Sequence, residues 1–407
     1  MNMKKYLLVS VILLCFTATL SAQKASNSES VQMFNPVMTG VTSLTIAPDS
    51  RAGAMGDVGV ATDPDVNSQY WNPAKYPFAI SPAGISLAYT PWLRQIVSDI
   101  DLANLVGYYR IGDYQSISGS LTYFSLGEVY VGDVGSAMTI RPYEMAVDFA
   151  YSRMLSETFS ASVALRYIHS NLNFNFDSDT SVGHAFGADI AMFYSNYIFL
   201  GRRECMINLG LNASNIGSKI SYDGGQTNQF IPTNLRIGAS IMIPVDAFNT
   251  FSISADANKL MVPTKPTYAQ FLSEKGLVDE VGDYYRAEYE NYVSGPGYND
   301  MSPITGIFKS FSDAPGGFKE ELQEIYWGVG VEYAYNNQFF LRGGYHYENE
   351  YKGNRKYFTL GAGFKMSVFS LDAAYLISTA QSNPLDQTLR FTLSFDMDGI
   401  REIIGRR

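Results

Sequence analysis

The residues whose side chains could do chemistry are few and far apart. The 407-residue chain has three histidines, His169, His184 and His346. It has no HExxH, CxxC or GxSxG motif, the spacings that mark a metal site, a thiol pair or a nucleophilic serine. His169 and His184 are too far apart in sequence to form a compact ligand motif. Asp63 and Asp65 alternate as calcium ligands do, but the rest of a calcium loop is missing. We therefore expect no catalytic residue, no metal and no cofactor.

The first 22 residues have the features of a secretory signal peptide. Two lysines precede an apolar run, small residues follow it, and cleavage is expected before Gln23. The mature chain then keeps one cysteine, Cys205, which has no second cysteine for a disulfide. No later apolar run reaches the ~18 residues of a transmembrane helix. The net charge of −10 argues against nucleic acid as a partner.

From residue 85 onward, large apolar residues alternate with small or polar ones. In Thr388–Asp396, for example, Leu and Phe at every second position alternate with Arg, Thr, Ser and Asp. This period of two predicts a strand with two unlike faces. About fourteen such segments can be counted, an even number, as in bacterial outer-membrane barrels. The predicted strands are residues 85–92, 102–111, 115–126, 145–154, 159–170, 185–194, 206–215, 235–243, 250–259, 326–335, 339–347, 357–366, 369–377 and 388–397.

The connections between these segments alternate between short and long. Tight turns on one rim and long loops on the other are typical of outer-membrane barrels, whose short turns face the periplasm. Asn196–Glu204 is predicted to be a longer turn on the short rim. A soluble β-sandwich also alternates, but its strands are usually about five or six residues long. The sequence therefore predicts an all-β fold, a transmembrane antiparallel β-barrel of about 14 strands.

Residues 44–84 are predicted to fold inside this barrel as a plug. Gly, Asp, Asn and Pro interrupt them too often for a long helix or strand, whereas Tyr70 and Trp71 argue against a solvated linker. The irregular backbone needs hydrogen-bond partners, which a barrel wall would supply. The candidate structural or gating residues are Asp49, Arg51, Gly53, Gly56, Asp57, Asn72 and Pro73. The expected order is a signal peptide (1–22), a periplasmic lead segment (23–43), the plug (44–84), the barrel (85–397) and a C-terminal tail (398–407).

Charged residues also occur on the predicted inward faces of the strands, and their signs differ from strand to strand. Buried charges must be paired, and a plugged barrel of this size has little free bore. We therefore expect an ion-pair lattice that holds the plug; a selective channel lining is the alternative. The lattice residues are Asp148, Arg166, Asp189, Arg236, Asp256, Glu332, Arg342, Asp372 and Arg390.

Residues 260–325 form a very long connection between two predicted strands. They contain eleven acidic and five basic residues, and helical spacing occurs over Tyr268–Tyr292 and again near Gly317–Ile325. Loops of this length usually carry function or are disordered. The aromatic content favours a folded, partly helical extracellular docking surface. The candidate protein-binding residues are Tyr268, Tyr284, Tyr285, Tyr289 and Tyr292.

Two stretches near the start of the chain resemble a known family. Ala47–Thr62 reads APDSRAGAMGDVGVAT, and Tyr70–Lys75 reads YWNPAK. Together they resemble the amino-terminal plug of the PorV family, also called LptO, an outer-membrane protein of the type IX secretion system. That family is itself similar to FadL-type fatty-acid transporters. The resemblance extends over the plug, the fourteen strands and the long acidic loop.

The resemblance implies secretion rather than catalysis. Members of the family act as shuttles that engage the SprA (Sov) translocon and capture cargo by its C-terminal signal domain. They deliver the cargo to an attachment complex of the PorU sortase with PorZ and PorQ. The resemblance places these contacts on the extracellular loops, which are here residues 127–144, 171–184, 216–234 and 260–325.

Two other functions were weighed against the shuttle. The first is a FadL-like outer-membrane transporter of hydrophobic small molecules, and the second is an enzyme that modifies surface lipids. The acidic, tyrosine-rich loop favours a protein partner over a fatty-acid funnel. The missing serine motif argues against a lipase. In each case we expect a protein of the outer membrane that contacts its lipids.

Overall fold

The computed structural model describes most of the chain. The predicted signal peptide and the predicted C-terminal tail lie outside the described residues. The described residues are 34–94, 97, 99–131, 138–172, 181–279, 282, 284–295, 297–314, 316–366, 368–379 and 385–396.

Fourteen antiparallel strands form a closed barrel in which each strand pairs with its neighbours in the chain. The first and last strands close it, with Gly84 opposite Asp396 and Tyr89 opposite Phe391. The predicted fold is thereby confirmed. The strands are β1 (Ala83–Pro91), β2 (Asp101–Ile111), β3 (Gln115–Ser125), β4 (Tyr143–Ser156), β5 (Phe159–Asn171), β6 (Gly183–Leu200), β7 (Arg203–Gly217), β8 (Asn234–Pro244), β9 (Asn249–Leu260), β10 (Ile325–Tyr335), β11 (Phe339–Tyr347), β12 (Lys356–Lys365), β13 (Phe369–Ser378) and β14 (Leu389–Asp396).

The alternation in sequence corresponds to two different faces of the barrel wall. On β4, Val147 and Phe149 are exposed on the outer face, whereas Ala146, Asp148 and Ala150 are buried on the inner face. Exposed apolar side chains around the outside match a wall that faces lipid. Small and polar side chains inside leave room for another part of the chain.

That part is residues 42–82, here called the luminal segment, which lie inside the barrel. The segment contains two short α-helices, α1 (Ser50–Gly53) and α2 (Ser68–Trp71), and two 3₁₀ helices, Thr42–Thr45 and Pro73–Phe78. Asp49 caps α1, since its Oδ2 accepts a hydrogen bond from the Ala52 amide at 2.9 Å.

The residues just before the luminal segment lie at the rim of long loops. The Asn35 amide donates to the Tyr351 carbonyl, and the Gly40 amide donates to the Phe230 carbonyl, both at 2.9 Å. Tyr351 and Phe230 both belong to connections on that rim. These contacts hold residues 34–43 at the rim of long loops, whereas the lead segment 23–43 was expected on the side of the short turns.

The connection between β6 and β7 also differs from the prediction. The longer turn expected at Asn196–Glu204 is wrong, because the two strands continue as a ribbon until Leu200 pairs with Arg203. Gly201 has a φ of 67°, which suits the first central position of a two-residue hairpin turn. Few turn-forming residues stand before Gly201, and β-branched and aromatic residues extend β6 instead.

The described residues of the long connection after β9 are folded and contain four short helices. They are α3 (Tyr268–Lys275), α4 (Arg286–Ser294), α5 (Pro303–Lys309) and α6 (Phe318–Gln323). The helical spacing over Tyr268–Tyr292 is split between α3 and α4, because Gly276 and Gly282 have φ of 63° and 101°. Across the described ranges, no helix has both the length and the apolar character needed to span a membrane.

Candidate functional site

The barrel wall supplies hydrogen-bond acceptors for the backbone of the luminal segment. Asp256 on β9 accepts from the amides of Gly59 and Val60 at 2.8 and 3.0 Å. Thr359 on β12 accepts from the Gly56 amide at 2.8 Å. Because these amides come from irregular backbone that cannot pair with itself, the wall side chains replace the ladder of a helix or sheet.

Close contact between the luminal segment and the barrel wall explains Gly53 and Gly56. Gly56 has a φ of +73°, and a Cβ atom there would lie 2.7 Å from the Tyr345 carbonyl oxygen on β11. A Cβ on Gly53 would lie 2.3 Å from the Arg390 guanidinium. Gly344 on the wall faces Met55 with the same lack of space. These glycines let the segment and the wall approach each other directly.

Asp49, Asn72 and Pro73 have structural roles within the segment. Besides capping α1, Asp49 accepts from the Trp71 indole nitrogen at 2.6 Å. The Asn72 side-chain nitrogen donates to the Val60 carbonyl within the segment and to the Met192 carbonyl of β6, at 3.0 and 2.9 Å. Pro73 begins a 3₁₀ helix, a position where its missing amide costs little.

Arg51 joins the segment to a chain of charges on the wall. Its guanidinium donates two hydrogen bonds to Glu332 on β10, at 3.1 and 3.0 Å, and one to Asp65 at 3.0 Å. Glu332 also accepts from Arg342 at 2.6 Å, and Arg342 contacts Asp372 at 2.5 Å. Each charged side chain in this series therefore has an opposite charge beside it, as low-dielectric surroundings require.

A second contact joins Asp57 of the segment to Arg390 on β14. Arg390 Nη1 lies 2.5 Å from Asp57 Oδ1, and the Tyr357 hydroxyl donates to Asp57 Oδ2 at 2.6 Å. On β8, Arg236 donates to the Tyr70 carbonyl at 2.8 Å. The segment is thus tied to strands on several sides of the barrel.

The remaining charges of the predicted lattice stay within the wall. Arg166 on β5 pairs with Asp148 on β4 and with Asp189 on β6. Asp189 also accepts from the Asn215 amide at 2.7 Å. Each of the nine predicted residues thus has an ion-pair partner or a contact with the luminal segment. Among the described residues, however, Asp148, Arg166 and Asp189 form no hydrogen bond with the luminal segment.

Sequence reasoning missed one buried charge of the segment. Lys75 is fully buried, and its Nζ donates to the Gly59 carbonyl at 2.8 Å and to the Thr62 hydroxyl at 3.1 Å. The sequence gives no sign of this burial, because lysine is seldom buried. In the structure, Lys75 directly follows the Asn-Pro-Ala turn, and its side chain returns to the backbone of the luminal segment.

A cavity of about 340 Å³ lies between the luminal segment and the wall, near the rim of long loops. Arg390 is buried, and its Nε has no hydrogen-bond partner among the described residues. The residues that line the cavity divide into an apolar side and a charged side. The apolar side includes Ile46, Trp92, Leu93, Ile100, Phe124 and Leu126, and the charged side Asp57, Arg355 and Arg390.

Two lysines anchor the long loop to the barrel. Lys259 at the end of β9 lies 3.0 Å from Glu321 and 2.6 Å from Glu324. Lys352, in the connection after β11, lies 2.5 Å from Glu320 and 3.1 Å from Glu324. This loop anchor fixes α6 against the end of β9 and the connection between β11 and β12. Nearby, burial raises the pKa of the Asp313 carboxyl to about 7, and its Oδ2 accepts from the Thr264 amide at 2.9 Å.

Most of the tyrosines predicted to bind a partner are packed inside the loop. Tyr268 contacts Phe271 and Tyr289, with ring centroids 6.4 and 5.5 Å apart, and Tyr292 contacts Phe271. Tyr285 is half-buried, and Tyr284 is 74% exposed. The aromatic content thus forms a small core between α3 and α4, which the sequence pattern alone could not distinguish from a binding surface.

Five exposed apolar side chains of the loop belong to α5, α6 and the connection between these two helices. Together they are called here the loop surface: Ile304, Phe308, Phe311, Phe318 and Leu322. On each helix two of them are four residues apart and therefore lie on one face. Exposed aromatic side chains of this kind are typical of protein interfaces.

Comparison with solved structures gives distant likenesses. The Pseudomonas putida toluene transporter TodX is 11% identical, with a TM-score of 0.47 over 85% of this chain and 97% of that one. The Ralstonia pickettii toluene transporter TbuX is 14% identical, with a TM-score of 0.43 over 86% and 97%. A Pseudomonas aeruginosa FadL homologue is 10% identical, with a TM-score of 0.43 over 89% and 99%. Likenesses this distant say nothing about function.

Comparison with curated protein sequences gave no significant match. The model of the family described as type IX secretion system protein PorV matches residues 29–267. This range contains the luminal segment and the first nine strands of the barrel. Because the match spans more than half of the chain and the fold is a closed outer-membrane type of barrel, the protein belongs to the PorV family of the type IX secretion system.

Proposed function

We propose that this protein is an outer-membrane shuttle of the type IX secretion system. It binds the C-terminal signal domain of cargo released from the SprA (Sov) translocon and delivers it to the PorU attachment complex with PorZ and PorQ. Membership in the PorV family supports the secretion role. The loop surface is the observation that supports binding of a protein on the extracellular side.

The loop surface suits a protein partner for two physical reasons. Phe308 is 74% exposed and Phe318 is 73% exposed, so a partner that covers both removes a large apolar area from water. The loop anchor holds α6 in place before binding, because Lys259 and Lys352 pair with three glutamates of the loop. A surface that is already ordered loses little conformational entropy on association.

Charging the loop surface should reduce cargo display. In cells carrying the Phe308→Glu/Phe318→Glu double variant, we expect at least about a tenfold loss of surface-attached cargo, because two aromatic anchors become charged. The measurement is immunolabelling of a cargo protein on intact cells. Phe248→Glu is the control, since Phe248 is also an exposed phenylalanine (59%) but lies in a turn on the other rim.

The barrel must remain folded for this result to count. Heat-modifiable migration on gels should show the same folded fraction for the double variant, the control and the wild type. Normal cargo display by a folded double variant would contradict binding through the loop surface. That outcome would leave family membership untouched and would favour the second candidate function below.

The cavity favours the second candidate, a FadL-like transporter of hydrophobic small molecules. Its volume of about 340 Å³ is in the range of small-molecule sites. Its apolar wall would accept a short hydrocarbon chain, and Arg390 would face an acidic head group. The luminal segment fills the bore beyond the cavity, so transport would also require that segment to move. For this reason the shuttle remains the preferred function.

Binding in the cavity can be measured through Trp92. Titration of the detergent-solubilised protein with brominated octanoate should quench tryptophan fluorescence in a saturable way, because bromine would lie beside Trp92 in the cavity. The chain has three tryptophans, so the Trp92→Phe variant should keep most of the signal and lose the saturable part. Unbrominated octanoate should reverse the quenching. Quenching that rises without saturation in both proteins would contradict a cavity site.

A further inference from the structure

Two histidines that are distant in sequence face each other on the outer wall. His169 on β5 is directly opposite His184 on β6 in the strand register, and their ring centroids are 5.1 Å apart. Both side chains are on the outer face near the rim of long loops, where His184 is exposed. The sequence pattern argued against a shared site because of their separation along the chain. The hairpin between β5 and β6 removes that separation.

Each imidazole is held by a tyrosine hydroxyl through one ring nitrogen. The Tyr143 hydroxyl is 3.2 Å from Nε2 of His169, and the Tyr167 hydroxyl is 2.8 Å from Nδ1 of His184. These contacts orient the rings, and within the described part of the chain no other hydrogen bond engages Nδ1 of His169 or Nε2 of His184. Metal-binding histidines are commonly oriented by such a contact at their second nitrogen.

The spacing of the rings suits a shared metal ion. Zinc binds imidazole nitrogen at about 2.0–2.1 Å in tetrahedral geometry, which places the centroids of two ligand rings about 5 Å apart. We propose that His169 and His184 bind one divalent transition-metal ion of the class that prefers imidazole, such as Zn²⁺ or Cu²⁺. Among the described residues no third histidine, cysteine or carboxylate completes a larger ligand group, so water or a bound molecule takes the remaining positions.

The pair also lies within a group of aromatic rings. Tyr143 stacks with Tyr123 at 5.6 Å, and Tyr167 lies 5.3 Å from Phe186. Aromatic girdles of this kind mark the lipid interface of barrels. A girdle alone needs rings but not imidazole nitrogens. A metal site and an aromatic girdle can therefore be distinguished by a substitution that removes an imidazole nitrogen: only the metal site should lose affinity for the ion.

Metal titration of the untagged, full-length protein in detergent tests the site. We expect one Zn²⁺ per chain in competition with a chromophoric chelator, and at least a tenfold weaker affinity for His169→Gln and for His184→Gln. The matched control is His346→Gln, because His346 is the chain's third histidine and is buried inside the barrel. It should bind Zn²⁺ like the wild type, with all variants folded by heat-modifiable migration.

Two further readouts separate a metal site from ring packing. Cu²⁺ bound to the wild type should give an electron paramagnetic resonance spectrum with two nitrogen ligands, and with one in either single variant. Affinity should fall at acidic pH, since a protonated imidazole cannot bind a metal ion. Equal affinity in wild type and both single variants, or no stoichiometric binding at neutral pH, would overturn the proposal. Neither result depends on the secretion role.

Discussion

Replacing Arg51 by methionine should lower the free energy of unfolding by about 3–5 kcal/mol. The variant keeps much of the side-chain volume but removes the charge between Glu332 and Asp65, which lie 3.0 Å from the guanidinium. Glu332 would keep Arg342 as a partner, whereas Asp65 would lose its ion pair inside the barrel. The measurement is urea unfolding of the protein in lipid vesicles, followed by tryptophan fluorescence and by gel migration.

Arg94→Met is the control for Arg51→Met. Arg94 pairs with Asp101 at 3.2 Å, but its side chain is 47% exposed at the rim, so its loss should cost at most about 1 kcal/mol. The comparison separates a buried ion pair from a surface one with the same substitution. If both variants unfolded at the same urea concentration, the charges inside the barrel would not be what holds the luminal segment.

Replacing Gly56 by alanine should destabilise the protein by about 3 kcal/mol or more, from backbone strain together with overpacking. Gly56 has a φ of +73°, and its new Cβ would meet three backbone atoms of Tyr345 at 2.7–2.9 Å. Backbone atoms of a strand cannot move aside as a flexible side chain can. The luminal segment should therefore shift away from β11, which protease accessibility of the folded barrel would detect alongside urea unfolding.

The chain contains a control that isolates the steric part of this effect. Gly112, in the turn after β2, has a φ of +66° and no atom within 4 Å of a Cβ. Gly112→Ala should therefore cost only the conformational strain, about 1 kcal/mol. Equal destabilisation by the two substitutions would mean that the contact between the segment and β11 contributes little to stability.

The barrel could be predicted from sequence because each strand has two unlike environments. Lipid outside and small or polar groups inside impose a period of two, and every predicted strand overlaps one of the fourteen observed. The β6–β7 ribbon was missed because Asn196–Leu200 extends beyond the part of β6 that pairs with β5. Beyond that part the alternation no longer separates lipid from lumen, so it cannot mark a strand.

The inward position of the charges could also be predicted, but not their partners. Glu332 and Arg342 are direct neighbours across a ladder, which sequence order and a hairpin already indicate. Arg342 reaches Asp372 past Gly363 on the strand between them, where a Cβ would collide with both. This contact depends on the strand register and on the absence of a side chain at Gly363. The histidine pair and the packed tyrosines of the long loop likewise depend on the three-dimensional arrangement of strands and helices, which the sequence pattern does not give.

The way the barrel closes dictates an order of events during assembly. The luminal segment precedes β1, yet the Ser50 amide donates to the Thr392 hydroxyl on β14 at 2.8 Å, and Arg390 on the same strand holds Asp57. The last strand made must therefore meet β1 and the already synthesised segment at once. Once β14 has paired with β1, the luminal segment could enter the barrel only if that strand pairing were broken. The luminal segment therefore has to be in place when β14 pairs with β1 and completes the wall.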